Sequence, residues 1–230
     1  MHETQDTRDY RDLIYTRLDL PQLPPVDQAK LVKWMVDKNR IGMVEQTIHS
    51  SSTNSSLYPW RAVVACRGNC WDTAFVEAFP QLVKYTELFP VAFWRQVSLL
   101  AQLPDKEVFL HTDPDKGLGW RIYLSHGGPK LYFQKFKERH EVRPQTWAGG
   151  GPTSMQDLCE PERIYVDDEG CYPWALTSTR AAHGVSVCRQ ALGARVTMLL
   201  FPEPEYVDVA AHRELIKRSS EKYADTAIWY

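Results

Sequence analysis

Between Glu107 and Phe201 the chain passes through seven short segments rich in β-branched and aromatic residues: EVFLHTD, GWRIYLS, KLYFQKF, RIYVDD, YPWALTS, HGVSVCR and RVTMLLF. Gly, Pro and Asp punctuate the spaces between them. Short runs of this composition, bounded by turn residues, read as strands. A succession of them closes into an antiparallel sandwich or barrel. One interruption, residues 136–163 with the stretch WAGGGPTS, is too long for a turn and is a candidate lid over a site.

The flanks carry helical signals. Asp27 opens DQAKLVKWMVDKNR, in which Leu31, Trp34 and Met35 recur at helical spacing and suit packing against a sheet. A second helix fits Gln81 to Leu88, and WRAVVAC at 60–66 fits a short strand. The polar run at 45–58 reads as a surface loop. The run VAFWRQVSLLAQL, Val91 to Leu103, fits both periods, so helix and long strand stay open. After Pro204, DVAAHRELIKRSSEKYA reads as a terminal helix. The expected organisation is one domain over 1–230: an N-terminal helical cap and support at 1–90, a β-barrel core at 91–203 and a C-terminal helix at 204–230.

Composition narrows the function classes. The chain has 27 basic and 29 acidic residues, a net charge of −2, which removes the electrostatic case for a dedicated nucleic-acid binder. Eight Trp, eleven Tyr and eight Phe argue for a packed globule over disorder. No stretch of about 18 apolar residues is present to span a membrane. The N-terminus, MHETQDTRDYRD, is polar and has no signal-peptide pattern. The five cysteines are odd in number, so reduced thiols and a cytoplasmic location are expected. Cys66 and Cys70 form a C-x3-C pair, but a structural zinc site wants two close pairs, and Cys159 and Cys171 lie too far apart to supply the second. Small buried hydrophobes are the plainer reading.

Chemistry concentrates in three segments. In FLHTD, His111 and Asp113 are two apart and share one face of a strand. His183, in AAHGV, offers a second imidazole. Two histidines and a carboxylate on one side of an ion form the facial set that holds Fe(II) and leaves three positions open. His126, in SHGGP, and His140, in KFKERHEVR, compete with His183, but neither is followed by an arginine on an apolar strand. The third segment is Arg195-Val196-Thr197, leading into MLLF. Arg195 and Thr197 share a face, and a guanidinium beside a hydroxyl makes a carboxylate clamp in a barrel. Arg121 alternates with Ile122 in GWRIYL. Facing inward it binds a cosubstrate or substrate carboxylate; facing outward it is solvated. Trp174 serves either as core or as a substrate contact.

HTD at 111–113, HGV at 183–185 and RVT at 195–197 together resemble the Fe(II)/2-oxoglutarate-dependent oxygenases, over about residues 90–202. Within that superfamily the segments look most like the aspartyl/asparaginyl β-hydroxylase-like group, which includes small bacterial amino-acid hydroxylases. The resemblance implies a mainly β fold with flanking helices, a double-stranded β-helix (jelly roll, cupin-like). It implies Fe(II) held by His111, Asp113 and His183, and 2-oxoglutarate held by Arg195 and Thr197, with Arg121 as a further contact. It also implies O2 as co-reactant and ascorbate as a supporting reductant. The expected activity is hydroxylation of an unactivated C–H bond of an amino acid or a peptide-like small molecule, with release of succinate and CO2. The long 136–163 segment departs from the group. So does Asp113, since some members lack the carboxylate ligand. Two rivals are a cupin-type metal-binding barrel with other chemistry, and a non-catalytic β-sandwich binding module.

Overall fold

The computed structural model describes residues 12–40, 60–102, 107–111, 119–124, 130–137, 155–166, 171–176, 181–187 and 195–230. Its strands are β1 (Leu13–Arg17), β2 (Trp60–Arg67), β3 (Cys70–Trp71), β4 (Trp94–Gln102), β5 (Val108–His111), β6 (Gly119–Tyr123), β7 (Leu131–Lys135), β8 (Ile164–Tyr165), β9 (Tyr172–Leu176), β10 (Ala181–Val185), β11 (Arg195–Pro202) and β12 (Ile228–Trp229). The helices are α1 (Gln28–Arg40), α2 (Thr73–Ala78), α3 (Pro80–Thr86), α4 (Met155–Leu158) and α5 (Val209–Lys222).

The strands form two antiparallel sheets. The larger has the order β12-β1-β9-β6-β11-β4-β2-β3, and the smaller β5-β10-β7-β8. The chain from β4 to β11 passes back and forth between them, leaving β9-β6-β11-β4 in one and β5-β10-β7-β8 in the other. That is the double-stranded β-helix, or jelly roll. All seven expected strands from β5 to β11 are present. The undecided run at 91–103 becomes β4, because it is paired along its length on both sides, with β2 and with β11.

Residues 1–90 hold α1, α2 and α3, as expected of a cap, and also β1, β2 and β3, which extend the large sheet. The β2–β3 turn shows why: Gly68 and Asn69 have φ of 54° and 61°. Two left-handed residues in a two-residue loop make the turn whose twist matches a hairpin. Helices α2 and α5 start where an aspartate caps them. The Asp72 side chain accepts from the Phe75 N–H, and that of Asp208 from the N–H groups of Ala210 and Ala211.

Each face of the large sheet has its own layer. One packs Val97, Leu99, Trp120, Ile122, Val196, Met198 and Leu200 against Leu31 and Trp34 of α1, Phe75 of α2, Leu82 of α3, and Leu215 and Ile216 of α5. The other faces the small sheet, where Tyr15, Tyr123, Phe133, Trp174 and Val185 pack together. No helix among the described residues is long and apolar enough to cross a membrane.

Candidate metal and carboxylate site

Strands β5 and β10 are antiparallel neighbours in the small sheet, and His111 and His183 are direct partners across the ladder. Both side chains turn into the space between the sheets. Their ring centroids lie 4.3 Å apart with planes at 50°. Phe133 of β7 walls the pair, 6.0 Å from the His183 ring. His183 is buried at 7% exposure, whereas His111 is half-buried.

Facing them, the large sheet brings Arg195, Thr197 and Leu199 of β11 to the same space. Alternation sends Val196, Met198 and Leu200 to the helical side. The register Thr197↔Tyr123 and Leu199↔Arg121 gives β6 the matching phase. Arg121 therefore faces inward, at 2% exposure, with Trp120 and Ile122 on the helical side. Its Nη1 donates to the Trp120 carbonyl at 2.9 Å, and its Cζ is 5.2 Å from the Phe201 ring centroid. Arg195, at 3% exposure, lies with Cζ 4.3 Å from the Tyr123 ring centroid. Both aromatic faces favour a guanidinium and fix its plane.

The result is one cavity of about 90 Å³. Its polar lining is His111, His183, Arg121, Arg195, Thr197 and Gln102; its apolar lining is Leu100, Val108, Leu131, Trp174, Val185 and Leu199. Low-dielectric walls strengthen any contact between its two fixed positive charges and an anion. Trp174 belongs both to the core, against Tyr15, and to the cavity wall.

Five of the six expected site residues thus converge. The sixth, Asp113, lies outside the described residues, as do His126, His140 and residues 138–154 of the expected lid. Among the described residues no three His, Cys, Asp or Glu side chains gather. The two imidazoles are themselves donors that suit a first-row transition metal ion. Gln102 was missed by sequence reasoning. Its signal is Ser98-Leu99-Leu100-Ala101-Gln102 read at period two, which requires that run to be known as a strand.

Cys66, Cys70 and Cys159 are not among the residues that line this cavity. Cys66 is buried in the helical layer, and burial, with Cys70 nearby, pushes its thiol up to about 11. Cys159 is likewise pushed up to about 11, chiefly by burial. Cys70 is exposed.

No family model matches the chain, and no curated protein matches it. Solved structures do. A Pseudomonas putida prolyl-4-hydroxylase is similar at 11% identity and a TM-score of 0.45, over 83% of this chain and 94% of that one. A prolyl hydroxylase from Trichoplax adhaerens, solved with a hypoxia inducible factor oxygen degradation domain peptide fragment, is similar at 12% identity and a TM-score of 0.48, over 85% and 86%. The non-heme alpha ketoglutarate dependent epimerase SnoN from nogalamycin biosynthesis is similar at 13% identity and a TM-score of 0.42, over 83% and 76%.

Proposed function

We propose that this protein is an Fe(II)- and 2-oxoglutarate-dependent oxygenase that hydroxylates a C–H bond of an amino acid or a peptide-like small molecule. The observation that carries the reading is the convergence of His111, His183, Arg195 and Thr197 on one cavity. Sequence spacing alone suggested those four, and they come from three strands in two sheets.

His111 and His183 would each give a ring nitrogen to the metal, which requires both imidazoles neutral. Asp113, two residues beyond His111, would give the third ligand. Iron held this way supplies the redox chemistry that couples O2 and the oxidative decarboxylation of 2-oxoglutarate, with release of succinate and CO2, to substrate oxidation. The protein's own part is binding and orientation. Arg195 would meet one carboxylate with two parallel hydrogen bonds, its plane set by Tyr123, and Thr197 would donate a third. Arg121 would hold a second carboxylate from the neighbouring strand. Leu100, Leu131, Val185, Leu199 and Trp174 would keep water from the reacting face.

The test is succinate formation from 2-oxoglutarate with Fe(II), ascorbate and O2, across a panel of free amino acids and short peptides. Substrate-dependent succinate is the expected result. Metal binding without 2-oxoglutarate affinity would replace this reading with a barrel of other chemistry. Binding of neither would leave a non-catalytic module.

A further inference from the structure

The strand that carries His111 is irregular beside the proposed metal pair, and the inference rests on that proposed pairing. On β10, His183 and Val185 are two positions apart; their partners on β5, His111 and Val108, are three apart. β5 therefore holds one extra residue, a β-bulge. Strict alternation from Val108 would send Leu110 inward and His111 outward. Instead Val108 and His111 both line the cavity. Leu110 packs on the outer side of the small sheet, with Phe136, Cys159 and Ala182. The bulge is what turns His111 inward.

A bulge needs room on the facing strand, and the residue there is Gly184. A Cβ on Gly184 would lie 2.8 Å from the Val108 carbonyl oxygen and 2.6 Å from the Tyr132 hydroxyl oxygen. Atoms do not approach that closely without displacement. Space, and not an unusual backbone conformation, is therefore what demands glycine here. The outer layer also grips Tyr132. Its hydroxyl donates to Glu107 Oε1 at 3.5 Å, and the Arg163 guanidinium lies 4.3 Å over its ring and 3.5 Å from Glu107. Glu107 immediately precedes Val108, so the start of the bulge is held from outside.

We propose that Gly184 is a positioning residue: its missing Cβ admits the β5 bulge, and the bulge sets His111 opposite His183. The side chain of any other residue would push β5 outward or return it to regular alternation.

Two readouts test this, one of them free of metal. The first is Co(II) binding followed by its visible d–d spectrum. Gly184→Ala should weaken binding about tenfold or more, the scale seen when the support of a metal ligand is disturbed, and should change the band shape. Phe136→Ala, which loosens the same outer layer, should lower Tm but leave Co(II) affinity and spectrum unchanged. The second readout is oxidative cross-linking of His111→Cys/His183→Cys. Directly opposed positions should form the disulfide, and adding Gly184→Ala should slow it about tenfold or more, since bridging tolerates little displacement. Unslowed cross-linking in the Gly184→Ala background overturns the proposal, as does unchanged Co(II) binding. Cross-linking that depends on Gly184 in a protein that binds no Co(II) would keep the positioning role and remove the metal reading. If Gly184→Ala does not fold, Gly184→Ala/Tyr132→Ala clears the hydroxyl while the Val108 carbonyl still blocks the Cβ. Unslowed cross-linking there overturns the proposal equally.

Discussion

Arg195 of β11 lies over the ring of Tyr123 of β6, its guanidinium carbon 4.3 Å from the ring centroid. Tyr123 is in turn the register partner of Thr197, so the hydroxyl and the oriented fork belong to one small patch of paired backbone. A guanidinium whose plane is already set loses little freedom on meeting a carboxylate.

The first prediction follows for that patch. Arg195→Ala should cost roughly 2–5 kcal/mol in 2-oxoglutarate binding, the usual loss when one partner of a buried charge pair is removed. Thr197→Val should cost about 1 kcal/mol, a single neutral contact. Tyr123→Leu keeps the charge and removes only the ring face, so about 1 kcal/mol is expected. Arg195→Lys should recover part of the loss. Michaelis constants for 2-oxoglutarate in the four variants, with metal binding intact, check the ranking. An unchanged constant in Arg195→Ala together with abolished turnover in Arg121→Ala would move the clamp to β6.

The second prediction concerns the metal. His111→Ala, Asp113→Ala and His183→Ala should each lose tight Fe(II) binding and substrate-dependent succinate formation. Equilibrium dialysis followed by metal analysis measures the first effect directly. Full activity in His183→Ala would transfer its role to His126 or His140.

The third concerns acid stability. His212 of α5 packs edge-on against Trp120, with centroids 5.1 Å apart. Burial, and then the neighbouring positive charge of Arg213, holds its pKa below the ordinary value of 6.5. The folded state then binds fewer protons than the unfolded one between the depressed pKa and 6.5. The associated stability is full above that upper limit and is lost as pH falls through the window. His212→Phe should therefore show a smaller drop in Tm than the parent between about pH 7.5 and about pH 5.5. Equal slopes in the two proteins would refute the coupling.

The fourth concerns thiol reactivity. The thiolate is the reactive species, and Cys66 and Cys159 are both pushed up to about 11 by burial. Cys70 is exposed at the end of the β2–β3 turn. Mass spectrometry after brief iodoacetamide treatment should find Cys70 labelled, with Cys66 and Cys159 protected until denaturant is added.

The strands, and the face that Arg195 shares with Thr197, were legible because their signals are local. In RVTMLLF a single apolar run with polar residues two apart fixes which side chains share a face. Arg121 was not decidable, because its direction depends on the pairing Leu199↔Arg121 with a strand far along the chain. The run VAFWRQVSLLAQL was ambiguous for a similar reason: its buried sides are supplied by β2 and β11. The bulge at β5 left no trace in the sequence. Spacing put His111 and Asp113 on one face, but gave no hint that Val108 and His111 would share a face three residues apart.

Strand β11 lies between β4 and β6, both of which precede it by many turns of chain. During synthesis, which adds about 5–20 residues each second, β4 and β6 wait for seconds with their inner edges unsatisfied. Pairing of such distant segments is slow, and open edges invite association with other chains. The strand that carries Arg195 and Thr197 is thus also the one whose insertion joins the two halves of the large sheet. Substitutions there will reduce the yield of folded protein from a cell as well as alter the site, so each variant's soluble fraction needs to be measured beside its kinetics.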